Sequence, residues 1–200
     1  EAYREFPRED ARHVITHARY PSRENIEVLK KYDVLVEPQT SSLLRASDDL
    51  ENQVEPGRYG PIPTRTYLDS GIKVMTGTDQ KPIGPLNTIW ASVNRFRKSG
   101  KVIQPEERMT LEEAIRACTI VPAYASFEED VKGSIETGKL ADLVVLGQDI
   151  LTVPKEKIRD IPVLMTMIGG KFVYINPDKD PNFLHVQQLL ARPKPGCKDT

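Results

Sequence analysis

The sequence predicts an α/β fold in which a parallel strand–helix region is followed by a separate antiparallel β segment. Three observations carry this. Over residues 1–132, short apolar runs alternate with amphipathic helical patterns. The first strand, helix and strand have short joins, and such a unit returns the chain in the same direction, which makes the strands parallel. After Gly133 the alternation stops, and two β-rich runs flank Gly169-Gly170, a hairpin signature.

Residues 1–12 form a polar, charged lead-in. Residues 13–18 are β-rich, with Val14 and Thr16 facing one way and Ile15 and His17 the other. Pro21 breaks this run, and Ser22 is placed to cap a helix over residues 24–31. Its inward side holds Ile26, Leu29 and the stem of Lys30. Residues 34–36 form the next buried strand, ending in Glu37-Pro38-Gln39. A long polar excursion over 38–62 contains a short helical piece near 41–47. Long loops of this kind tend to carry function, and Arg45, Arg58 and Tyr59 are its candidate substrate contacts, with a solvated loop face as the commoner alternative.

Pro63 opens a helix to Ser70, and Gly71 supplies its left-handed stop. Residues 72–76 form the third strand. Pro85 begins the strongest helix, ended by Gly100. Leu86, Ile89, Trp90, Val93 and Phe96 form its apolar face, and Asn94, Arg95, Arg97 and Lys98 lie mostly opposite. Thr110 and Glu113 make a capping box for a helix that buries Leu111, Ala114, Ile115 and Cys118. Pro122 interrupts it, and residues 123–127 form a second short helix. Residues 141–146 are an apolar strand, and 163–168 with 171–175 make the hairpin. The domain expectation is 1–132 for the strand–helix region, 133–175 for the β segment and 176–200 for a polar tail with one helical turn at 184–190.

Bulk properties exclude several classes. The 28 basic and 29 acidic residues of the 200 are evenly mixed, for a net charge of −1. This leaves no nucleic-acid footprint and no polybasic membrane patch. No apolar run approaches the roughly 20 residues that span a bilayer. No signal-peptide pattern opens the sequence, so the expected location is cytoplasmic. Cys118 and Cys197 make no disulfide framework and read as free thiols.

Chemistry in parallel α/β folds sits just past the C-terminal ends of strands. Asp79 follows the third strand and precedes a Gly/Pro loop that enters a strong helix, which makes it the candidate catalytic carboxylate. The alternative is an Asp that only organises a turn or caps the next helix.

Further residues resemble a known family. Gly77-Thr78-Asp79 after an apolar strand, Pro85 with its helix, and Met109 to Ala114 resemble the C-terminal part of metal-dependent amidohydrolases. The run Gly138-Lys139-Leu140-Ala141-Asp142, continuing to Leu146, and residues 168–174 strengthen the likeness. Residues 12–17 are similar to the sixth barrel strand of the YtcJ-like (exoenzyme-regulatory) branch. Thr78 stands where that branch more often has Ser, and Val121 where Asn is more usual.

The resemblance implies a partial (β/α)8 TIM-type barrel, its last three βα units, followed by a small antiparallel piece of a composite β-sandwich. It implies His17 as a metal ligand, and Asp79 as both metal ligand and proton shuttle, with zinc or another divalent metal as cofactor. The implied reaction is hydrolysis of a C–N (non-peptide amide) bond in a small-molecule substrate. A metal lowers the pKa of its water, and a nearby carboxylate takes the proton. His13 lies at the far end of its strand, and His185 is a surface residue without a role. The family's His-x-His motif is absent, and three histidines cannot assemble a binuclear site. A whole barrel takes about 250 residues.

The expectation is therefore the C-terminal part of a longer hydrolase, inactive alone and self-associating through exposed sheet edges. The rivals are a non-catalytic interaction or assembly module on the same scaffold, and a site completed by a separate chain.

Overall fold

The structure, a computed structural model, describes residues 2–45, 52, 54–79 and 84–177. A short helix α1 (Ala2–Glu5) leads to strand β1 (Val14–Thr16), helix α2 (Arg23–Lys31) and strand β2 (Leu35–Glu37). β1 and β2 pair in parallel, Val14 opposite Leu35 and Thr16 opposite Glu37. This is the expected strand–helix–strand unit. The cap of α2 is reciprocal: Asn25 N–H donates to Ser22 Oγ at 3.1 Å, and Ser22 N–H donates to Asn25 Oδ1 at 3.0 Å. Such a cap contributes about 1 kcal/mol. Ile26 and Leu29 enter the core, while Lys30 stays exposed beside Glu27.

The third strand is shorter than residues 72–76 predict. Only Val74 bridges Val36, in parallel. Val36 N–H donates to Lys73 O at 3.1 Å and Met75 N–H to Val36 O at 3.0 Å. Thr76 N–H then turns away to Ala117 O at 3.1 Å, which removes the strand end from the ladder. Three parallel segments remain side by side, in the order β1, β2, 72–76.

Residues Thr40–Arg45 form a 3-10 turn; the rest of the helical piece expected near 41–47 lies outside the described residues. Helix α3 (Thr64–Asp69) follows. The carboxylate of Glu107 accepts from Thr66 N–H at 3.0 Å, so an anion sits at the positive end of α3.

Helix α4 (Pro85–Asn94) stops six residues before Gly100. Arg95 takes a left-handed φ of 57°, and Phe96 pairs with Val102 instead of extending the helix. The expectation that Asn94, Arg95 and Arg97 face outward is corrected: all three are buried. The guanidinium of Arg95 donates to the carbonyls of Ile103, Ile62 and Pro61 at 2.9–3.0 Å. Those carbonyls come from distant loops, and satisfying them decides where the helix ends. Phe96 turns back onto Trp90, with ring centroids 5.4 Å apart.

Helix α5 (Leu111–Cys118) carries the predicted capping box, Glu113 N–H to Thr110 Oγ1 at 3.2 Å and Thr110 N–H to Glu113 Oε2 at 2.7 Å. It buries Ala114 and Ala117; Leu111, Ile115 and Cys118 pack partly buried beside them. Helix α6 (Ile120–Ala125) starts before Pro122, so the break falls at Thr119 and not at the proline. Pro122 sits in the first turn, where a missing N–H has no intrahelical partner to lose.

The C-terminal sheet is antiparallel in the order β3 (Leu143–Leu146), β4 (Val163–Ile168), β5 (Lys171–Ile175). Gly169 and Gly170 both take positive φ, 55° and 76°, as a two-residue hairpin turn requires. No residue of these three strands is fully buried. Between β3 and β4 the chain returns to α4 as a 3-10 turn, Lys155–Asp160. Ile158 is wholly buried there, Trp90 Nε1–H donates to Glu156 O at 2.8 Å, and Arg159 stacks over the indole at 4.2 Å.

The main core joins α2, α3, α4 and α5 to Val36, Val74 and Ile158. Each large apolar side chain so buried contributes about 1.5–3 kcal/mol. All three β1 residues are exposed, Val14 and Ile15 among them. Among the described residues no helix is long and apolar enough to cross a membrane. The expected helical turn at 184–190, His185 and Cys197 lie outside the described residues.

Candidate functional site

The three parallel segments bring His17, Glu37 and Asp79 to the same edge of the sheet, each at or just past a C-terminal strand end. His17 follows β1 directly. Its φ of 72° ends the strand, so the alternation that pairs it with Ile15 does not extend to it. Its N–H donates to Glu37 O at 2.9 Å, which ties the end of β1 to the end of β2. Asp79 also takes a left-handed φ, 56°, a conformation Asp tolerates better than most residues. Both His17 and Asp79 are exposed. His17 follows the outer segment β1, and Asp79 follows the segment on the other side of β2.

The turn that carries Asp79 is held from below. Ser41 Oγ donates to Thr78 O at 3.0 Å and lies 3.3 Å from Gly77 O. Next to it runs a buried hydroxyl chain. Ser92 Oγ donates to Thr88 O at 2.8 Å; Thr40 Oγ1 lies 2.7 Å from Ser92 Oγ and 3.2 Å from Thr76 Oγ1. One proton order satisfies all three: Thr76 donates to Thr40, Thr40 to Ser92, and Ser92 to the carbonyl. The 3-10 turn, the third strand and α4 are thereby locked together directly under the Asp79 turn. Gln39, buried and at φ 54°, keeps its side-chain oxygen without a partner among the described residues.

Glu37 and Gly77 meet closely. An oxygen of the Glu37 carboxylate occupies the space that a Cβ at position 77 would fill. The carboxylate therefore crosses from β2 onto the base of the Asp79 turn, and a side chain at position 77 would push it aside. Neither Glu37 nor Ser41 stands out in the sequence as a site residue, although Glu37 obeys the same strand-end rule that singles out Asp79.

Cys118 lines the hollow under the Asp79 turn together with Thr76, Gly77 and Pro85. Burial pushes its thiol up to about 12, which keeps it protonated and excludes it as a nucleophile at neutral pH. Arg58 is committed to Glu55 at 2.8 Å and to Tyr20 O at 3.0 Å, and Tyr59 packs against the core. Arg45 is exposed at the end of its turn and has a partner.

A histidine nitrogen and a carboxylate oxygen are suitable donors for zinc and related ions. Yet among the described residues no group of three or more His, Cys, Asp or Glu side chains stands close enough to hold a metal. His17 and Asp79 offer two donors where such a site takes at least three, so the residues present do not by themselves fit a metal.

Comparison with known proteins gives a consistent picture. A family model described as "Amidohydrolase family" matches residues 2–174. An N-substituted formamide deformylase of Arthrobacter pascens is 37% identical over 116 residues, 56% of this chain and 21% of that protein. A putative amidohydrolase, YtcJ, of Bacillus subtilis (strain 168) is 28% identical over 115 residues, 55% of this chain and 22% of its own length. Among solved structures, a metal-dependent hydrolase from Pyrococcus horikoshii OT3 matches with a TM-score of 0.60 at 23% identity, over 71% of this chain and 30% of that one. That likeness concerns the fold. The chain spans about a fifth of the length of the two curated relatives.

Proposed function

This chain belongs to the amidohydrolase family, and on that premise we propose that the longer protein it is part of is a metal-dependent hydrolase of C–N (non-peptide amide) bonds. The observation that carries the reading is the placement of His17 and Asp79 past the ends of parallel strands on either side of β2. The deformylase relative acts, by its name, on N-substituted formamides, and supports C–N chemistry.

In this reading residues 1–132 are the last three βα units of a (β/α)8 barrel, 133–175 a segment of a β-sandwich and 176–200 a tail. His17 and Asp79 supply two ligands for zinc or another divalent ion, and the remaining ligands come from outside this chain. The ion, when bound, supplies polarisation of water and of the scissile carbonyl. Asp79 takes the proton of the attacking water and returns it to the leaving nitrogen. Its turn is suited to that task because Ser41 and the Thr40–Thr76–Ser92 hydroxyls hold it in place. Such fixation lowers the cost of reorganisation during proton transfer.

The 200-residue chain alone lacks activity and self-associates. The exposed β1 edge and the poorly covered C-terminal sheet support the second point. The experiment is a comparison of the full-length protein and this chain, each supplied with zinc, for metal content and hydrolysis of N-substituted formamides. The reading predicts metal and turnover only in the full-length protein. Hydrolysis that persists in full-length Asp79→Asn would contradict it.

A further inference from the structure

Among the described segments β1 has a strand neighbour on one side only, since β2 lies between it and the segment 72–76. Ile15, the turn after β1 and helix α2 frame a hollow of about 240 Å³. Its walls are mainly apolar, with Ala18, Val28, Leu29 and Tyr67 beside Ile15. Arg19 is the only charged residue among the described lining residues. Its Nε is enclosed and has no hydrogen-bond partner. Among the described residues no carboxylate pairs with its guanidinium.

A guanidinium held against apolar walls without an acceptor is costly. A carboxylate offsets that cost best, because parallel N–H···O bonds match the guanidinium fork. Three occupants can bring one. A free small molecule is disfavoured by size: such sites hold roughly 300–1,000 Å³, and this hollow is smaller. The apolar surface also continues outside it, for Ile15 is 47% and Val28 48% exposed, which suits a packed segment of chain better than a small solute. A second copy is disfavoured by charge, because a two-fold contact centred on the hollow sets the patch against itself and brings Arg19 to Arg19. The remainder of the longer protein is left. This chain spans about a fifth of the length of the two curated relatives, so chain enough is available to cover the face.

We infer that the β1–α2 hollow is the socket for a segment from the remainder of the longer protein, which packs apolar side chains on Ile15 and Val28 and sets an Asp or Glu carboxylate against Arg19. This rests on the reading of the chain as part of a longer hydrolase and deepens it, by naming the face that is covered and the charge its cover carries. Arg19 stands just after His17, so the same ion pair steadies the end of β1 where the proposed metal ligand sits.

The test has two arms. In the first, full-length Arg19→Lys is treated with a carbodiimide, which condenses an amine with the carboxylate it pairs with, and the linked peptides are read by mass spectrometry. The inference predicts a link from position 19 to an Asp or Glu of the same polypeptide outside residues 1–200. The pair Lys73–Asp33, at 3.1 Å, is the internal control. A link to a carboxylate within 1–200, or none at position 19 while the control pair is joined, overturns the inference.

The second arm does not depend on that variant. Val28→Cys is made in a Cys197→Ser background, and maleimide labelling of position 28 is timed on the monomer fraction of this chain and on the full-length protein. Labelling should be about a hundredfold or more slower in the full-length protein, where it requires local opening of the covered face. Equal rates overturn the inference. Zinc content and turnover of the full-length wild type are read alongside. Their absence defeats the hydrolase reading and leaves the cross-link and the labelling rates to decide on the socket.

Discussion

Ser41 Oγ donates to the carbonyl of Thr78 at 3.0 Å, and this bond connects the 3-10 turn after β2 to the residue immediately before Asp79. The bond matters because Asp79 sits in a left-handed turn that its own strand does not hold: Thr76 N–H has already left the ladder for Ala117. Ser41→Ala should destabilise the chain by about 1 kcal/mol, the ordinary worth of a part-buried hydrogen bond. Urea unfolding of this chain reads that loss. If Asp79 is the proton carrier proposed above, the same change in the full-length protein should lower kcat, because it loosens the turn that holds that carboxylate.

The ion pair between Arg65 and Glu113 predicts a pH dependence of stability. Arg65 Nη1 donates to Glu113 Oε1 at 2.9 Å, and this guanidinium, aided by Thr110, holds the carboxyl below the usual glutamate range. The folded pKa lies below the unfolded one. The contribution is therefore complete above the unfolded pKa and is lost as pH falls through the folded pKa. Both side chains are partly exposed, so the ion pair is worth only about 0.5–1 kcal/mol. The difference in urea midpoint between wild type and Glu113→Gln should be constant near neutrality and shrink between about pH 5 and pH 3. The midpoint is the measurement.

Cys118 should resist alkylation. With its thiol pushed up to about 12, its thiolate fraction at pH 8 is on the order of a thousandfold below that of a free cysteine. In a Cys197→Ser background, iodoacetamide should modify Cys118 quickly in urea and very slowly in buffer, as mass spectrometry would record. Rapid labelling of the folded chain would show that the hollow beneath the Asp79 turn is open.

Arg95 is wholly buried and donates to three carbonyls on two separate loops. An ammonium cannot span that fork. Arg95→Lys should therefore cost roughly 2 kcal/mol or more, by leaving buried carbonyls unpaired. Thermal unfolding followed by circular dichroism checks this.

Much of the local structure was legible because it rests on local chemistry. The Ser22 and Thr110–Glu113 caps act over three residues, and Gly169-Gly170 makes its turn unaided. The strand-end rule picks out Asp79 from a pattern of strand, turn and helix. What escaped depends on partners far away in the chain. The end of α4 is set by carbonyls at positions 61, 62 and 103, and helical periodicity says nothing about them. The third strand falls short because Ala117, on α5, captures the N–H of Thr76. The approach of the Glu37 carboxylate to Gly77 joins positions 40 residues apart, which no local pattern shows.

Zinc stoichiometry, measured by plasma mass spectrometry on the separated monomer and oligomer fractions of this chain and on the full-length protein, decides whether His17 and Asp79 belong to a metal site completed outside this chain. The full-length protein should retain tightly bound zinc and lose it or its turnover in His17→Ala and Asp79→Asn, and the 200-residue chain should retain none. A monomer of this chain that holds one tight equivalent of zinc would show instead that these residues complete a metal site by themselves.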